Sequence, residues 1–184
     1  MTWVDAIPIV LVIGYAVLGY FTGVVRRLIG LVALYVAFVA ATNMGLSAGS
    51  ILQQTSSVAV ADSRIYGFFG IVFAVLLIVE GAAQLVHSQI QIEAIVFNRV
   101  SGVVVGVVTA LLLSVLLTYE LMAAANPSGG GQLDALQQNI RDGVNGSHVA
   151  VPLTNAIGKP IVAIFDLVLP PDPHNFFNNL PVNP

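Results

Sequence analysis

At 184 residues the chain is long enough for one compact unit and short for two. Hydrophobic residues make up 57% of it and charged residues only 8%, against about a quarter charged in a soluble domain, so most of its surface must face something other than water. A net charge of −3 offers nothing to neutralise nucleic-acid phosphates, and the absence of Cys removes disulfides, thiol catalysis and thiolate metal sites.

Residues 6–25 carry no charge and are long enough to cross about 30 Å of hydrocarbon as a helix. Arg26 and Arg27 follow, and residues 28–46 are uncharged again. The two runs together exceed one span, which predicts two helices hinged near Thr22, Gly23 and the arginine pair. Residues 47–64 are Ser- and Gln-rich, with Asp62 and Arg64, and predict a loop. Residues 65–86 form a third span interrupted by Glu80 and Gln84, residues 87–99 are mixed, and residues 100–122 form a fourth interrupted by Glu120. Within hydrocarbon every backbone polar group must be satisfied internally, so these Val- and Ile-rich runs are expected to be helices.

A cleaved signal peptide would carry positive charge before its apolar run; here Asp5 precedes the run and the arginines follow it. The same asymmetry predicts orientation. Arg26, Arg27 and Arg99 mark the odd connections as cytoplasmic, which leaves both chain ends outside. Trp3, Tyr66 and Tyr119 then fall at the outer interface, where amphipathic rings settle. Beyond Asn126 the chain turns polar. Pro127 to Gly131 reads as a linker, and Leu133, Leu136, Ile140 and Val144 recur at helical spacing up to a stop at Asn145-Gly146. Residues 160–169 are apolar but too few to span, and are expected to pack on the membrane surface, the bundle or a partner. The last fifteen residues, rich in Pro and Asn, are expected to be extended or disordered unless a partner holds them. The expected fold is all-α: a four-helix membrane bundle over residues 1–125 and a partly helical extracytoplasmic tail over residues 126–184.

Thr2-Trp3-Val4-Asp5 opening a first span resembles the start of the colicin V production protein family, as does the Gly23-Val24-Val25-Arg26 turn into a second span. The family's Asp-Arg before a Gly-xxx-Gly helix has a counterpart in Asn98-Arg99 with Gly102 and Gly106, and Ser147 matches a Ser that opens a C-terminal segment. The resemblance runs over residues 2–124, with a weaker echo to about 165. Thr22 and Thr109 stand where the family carries Arg, and Asn98 where it carries Asp, so roles resting on those charges do not transfer. The resemblance implies a bacterial inner-membrane protein of four spans linked to toxin export and envelope maintenance, with no established chemical activity.

Two constellations stand out from the residues themselves. Gly19 with Gly23, and Gly102 with Gly106, are four apart, the spacing that lets helix backbones approach closely. They predict a seam between the first and fourth helices, in preference to a dimer seam. Glu80, Gln84, His87 and Gln91 share one helix face. An acid within a span marks a site by default, and this face suggests a polar track for a proton, ion or head group. The competing reading, favoured because no other polar residues extend a pathway, is a face turned to cytoplasmic water or a partner, with Glu80 paired to Arg26, Arg27 or Arg99. No catalytic motif is present, His87, His148 and His174 show no ligand spacing, and no metal or cofactor is expected. The resulting expectation is a non-enzymatic accessory or scaffold component of an envelope transport, secretion or assembly machine, surrounded by membrane lipids, within a larger membrane complex or a homo-oligomer. The alternative is an oligomeric channel or transporter built on the Glu80 face.

Overall fold

A computed structural model describes residues 1–87, 95–129, 132–178 and 180. The described chain is all-α, with α1 over Trp3–Ser56, α2 over Val60–His87, α3 over Ile95–Ala125, α4 over Ala135–Asn145, α5 over Ala150–Phe165 and a short α6 over Pro173–Phe176. Among the described residues α1, α2 and α3 are each long and apolar enough to cross a membrane.

α1 has 54 residues and would reach about 80 Å if straight, far beyond one hydrocarbon core. It is not straight. Gly23 sits at φ 76°, ψ 179°, outside helical geometry and accessible at low cost only to glycine. The chain folds back there. The Arg27 guanidinium lies 5.3 Å from the centroid of the Tyr15 ring, whereas twelve residues of straight helix would separate them by about 18 Å. The two halves of α1 therefore act as separate crossing segments, with α2 and α3 completing the bundle.

Glycine contacts set the pairing. A Cβ on Gly102 would fall within 3.0 Å of Gly19 and Gly23 backbone, and one on Gly106 would strike the Tyr15 carbonyl oxygen. The first half of α1 thus runs antiparallel against α3. The second half packs antiparallel on α2, where Gly45 and Gly49 meet Gly67, Phe68 and Ser63 backbone.

Those last contacts overturn the loop expected over residues 47–64. α1 continues to Ser56 and α2 begins at Val60. The glycines extend the helix–helix seam past the apolar run, while Gln53, Gln54 and Ser56 stay exposed. Thr55 and Ser50 hydroxyls donate back to Ile51 and Ser47 carbonyls, so the polar composition is compatible with helix. Ser57, in left-handed geometry at φ 51°, ends it.

The C-terminal segments pack back on the bundle. α4 starts two residues later than the periodicity predicts, at a turn where Gln137 Oε1 accepts from the Asp134 N–H at 3.2 Å, and stops at Gly146 as expected. Of the apolar run at residues 160–169, Ile161, Phe165, Val168 and Leu169 join the same core as Leu113 and Leu116. The expectation that the final residues lack a fixed place is corrected over the described positions. Phe177 is fully buried, with its ring against Phe68 and Phe69, and Phe176 packs beside it. The buried Arg64 donates to the Asn178 and Leu180 carbonyls, each at 2.8 Å, and to Asn178 Oδ1. The bundle itself holds the tail.

Candidate functional site

The break at Gly23 gathers polar groups from three helices inside an otherwise apolar body. A non-helical residue frees the next backbone N–H, and Asn98 of α3 meets that need: its Oδ1 accepts from Val24 N at 2.8 Å. The Asn98 side chain also lies where a Cβ on Gly23 would be, so position 23 is closed to other residues by conformation and by space. Thr22 Oγ1 donates to the Leu18 carbonyl at 2.6 Å and accepts from Arg27 Nε at 3.2 Å.

Glu80 of α2 supplies the counter-charge. Arg27 Nη2 donates to Glu80 Oε2 at 3.1 Å, and Arg27 is only 1% exposed. Arg26 Nε lies 3.6 Å from the same oxygen, while Arg26 Nη2 donates to the Glu80 carbonyl at 3.1 Å. Gly30 leaves room for the carboxylate, since a Cβ there would sit 3.1 Å from Glu80 Oε1. The pairing is incomplete: Arg26 Nε, Arg27 Nη1 and Glu80 Oε1 are buried without a hydrogen-bond partner. Chemically the cluster sets two guanidiniums and the Thr22 hydroxyl against one carboxylate.

The other residues singled out by the sequence fall as follows. Gln84 and His87 continue α2 beyond Glu80, and Gln91 lies outside the described residues. Arg99 is exposed, with its guanidinium 5.2 Å from the Tyr20 ring centroid, and does not join Glu80. Trp3 and Tyr66 are about half exposed, and Tyr119 lies near the end of α3 that meets the start of α1. Among the described residues no three His, Asp or Glu side chains are placed to hold a metal ion.

A second polar knot lies at the opposite end of the bundle. The buried Asp5 carboxylate accepts from the Ser147 hydroxyl at 2.5 Å and from the N–H groups of His148, Val149 and Ala150 at 2.9–3.2 Å. It also accepts from Thr2 N at 3.0 Å. One side chain therefore closes the first turn of α1 and caps the N-terminus of α5, where orphan N–H groups and the helix dipole favour an anion. Thr2 Oγ1 adds a bond to the Gly143 carbonyl at 2.8 Å. Glu120 is the buried acid whose significance the sequence reading missed. It is fully buried in α3, and neither carboxylate oxygen has a partner among the described residues. Its signal was present in the sequence, since an acid inside an apolar span carries a high desolvation cost.

The motifs that met in pairs, Asp5 with Ser147 and the Gly23 turn with Asn98, are those that carry the family resemblance. The colicin V production protein family model matches residues 4–156. The chain belongs to that family. Neither a curated protein nor a solved structure matches it. Family membership and three long apolar helices make it a multi-pass membrane protein of a family named for colicin V production.

Proposed function

We propose that the protein is a non-enzymatic accessory or scaffold component of a bacterial inner-membrane machine for envelope transport, secretion or assembly. The observation that carries this reading is the use made of Glu80. Its carboxylate clasps Arg26 and Arg27 across the α1–α2 interface, which spends the polar groups on holding helices together. Such a clasp suits a rigid part that presents surfaces to other proteins better than one that conducts. Both chain ends lie outside, with the arginine end of the bundle cytoplasmic, following the distribution of Arg26, Arg27 and Arg99.

Purification in mild detergent from the native membrane should return a large partner in fixed stoichiometry. A protein that comes out alone and conducts ions in liposomes, with flux lost in Glu80→Gln, would replace this reading with the channel or transporter. Single cysteines at Ser56, Gln89 and Ser128 read the orientation with an impermeant thiol reagent. Labelling is expected at Ser56 and Ser128 and not at Gln89 in intact cells, and the reverse pattern inverts the assignment.

A further inference from the structure

Two clefts on the flank of the bundle share Leu11 and Phe73. One, of about 330 Å³, runs toward Trp3 and Phe69; the other, of about 470 Å³, runs toward Leu18 and Leu77 and ends on Arg26 and Glu80. Joined, they form one groove between the first half of α1 and α2, floored by α3 through Leu113 and Leu117. It exists because α2 pairs with the second half of α1, leaving the first half seated on α3. Its walls are apolar and open outward: Leu18 and Phe73 are about half exposed and Leu77 is 73% exposed.

Charge at the polar end is unbalanced. Arg27, sealed inside, stands 3.1 Å from Glu80 and neutralises it. Arg26 lines the groove at a looser 3.6 Å, and its Nε is buried without a hydrogen-bond partner. Glu80 Oε1, also unpartnered, repels an anion from the α2 side, so an anionic group would have to sit against Arg26. An elongated apolar slot that ends on two guanidiniums sharing one carboxylate, and so on a net positive charge, has the chemistry of a lipid tail and an anionic head.

We propose that this groove is a binding site for an anionic phospholipid, one acyl chain lying along Leu11, Phe73 and Leu77 and the phosphate meeting Arg26. The site lies at the arginine end of the bundle and so draws on the leaflet on that side. It does not depend on the accessory role proposed above and requires only that the bundle be embedded in lipid.

The test uses the full-length protein in a non-ionic detergent, titrated with dioleoyl-phosphatidylglycerol or dioleoyl-phosphatidylcholine, with bound lipids counted by native mass spectrometry. One phosphatidylglycerol should bind about tenfold more tightly than phosphatidylcholine, the size of a single charge-assisted contact. Arg26→Gln should bring the ratio to about one, while Arg26→Lys should keep most of it. Leu77→Trp, which fills the groove, should weaken both lipids. Arg99→Gln, an exposed charge outside the groove, should leave the ratio unchanged. Phosphatidylcholine binding by Arg26→Gln reports in the same titration that the variant is folded; should it not fold, the Arg26→Lys and Leu77→Trp results decide. Equal binding of the two lipids overturns the site. So does a ratio that falls as much in Arg99→Gln as in Arg26→Gln, or a groove occupied by a second copy of the chain with no lipid bound.

Discussion

At the end of the bundle where the chain's first and last segments meet, Asp5 accepts from five donors, and Arg64 spends its guanidinium on tail carbonyls. At the Gly23 end, two arginines share one carboxylate and three buried polar atoms stay unpartnered. Both ends bury charge, and in hydrocarbon an unsatisfied group costs several kcal/mol. A saturated knot has no capacity left for a ligand. It fixes geometry. An unsaturated one keeps a net positive charge, and here its Arg26 lines an open groove. The contrast assigns architecture to the Asp5 knot and recognition to the Arg26–Glu80 cluster. It is a contrast of the two knots and not of the two whole ends, since Glu120, toward the Asp5 end of α3, is buried with neither carboxylate oxygen partnered among the described residues.

The comparison breaks most readily at Asp5. Asp5→Ala removes an acceptor shared by α1 and α5, and hydrogen bonds to a charged group each contribute about 1.5–3 kcal/mol. Amide exchange over residues 147–153 should rise on the order of 1000-fold, given several such bonds. Ser147→Ala, which removes one donor, should do far less. If exchange there stays at the wild-type rate, the knot is not what holds α5.

Next comes Glu80→Leu, which leaves two guanidiniums buried without a counter-charge. Breaking one partner of a buried pair costs about 3–5 kcal/mol, which thermal unfolding in detergent would register. The Arg27→Leu/Glu80→Leu double variant should recover part of that loss. Strict additivity in this cycle would mean that the two residues do not interact.

A smaller effect is expected at the glycine seam. Gly106→Ala drives a methyl group into the Tyr15 carbonyl and should destabilise by about 1–3 kcal/mol. Gly14→Ala is the sharpest control. Nothing lies within 4 Å of its would-be Cβ, so the helix should gain up to about 1 kcal/mol from the better helix former. Equal destabilisation of the two would mean that helix propensity, not close backbone approach, governs the seam.

The crossing segments were legible because hydrocarbon thickness dictates a length and low charge dictates a location. The hinge was legible from Gly23 beside two arginines. The bonds that tie distant segments were not. Nothing in the local sequence says that Asp5 will cap a helix more than 140 residues away, or that Asn98 will repair the break at Gly23. Residues 47–64 were misread because Ser and Gln score as loop, although Gly45 and Gly49 already had the spacing of a helix contact. The tail was misread because Pro and Asn outweighed Phe176-Phe177, an adjacent aromatic pair that a disordered segment has little use for. The pairing of Glu80 with an arginine was among the options the sequence offered, but which arginine was sealed and which faced the groove required the fold.

The reversal at Gly23 also has a consequence in time. Arg26 and Arg27 leave the ribosome well before Glu80, which lies 53 positions after Arg27. At about 5–20 residues per second that gap lasts roughly 3–10 s. Throughout it the hairpin made by α1 carries two unmatched positive charges at its tip. These hold the tip at the membrane surface by their cost of entering hydrocarbon. Arrival of α2 cancels one charge, and α3 then brings the Asn98 amide that the bent backbone lacks. The half-made protein is thus kept in register by its own missing pieces, and a stop codon placed between Arg27 and Glu80 should leave a hairpin that proteases reach readily.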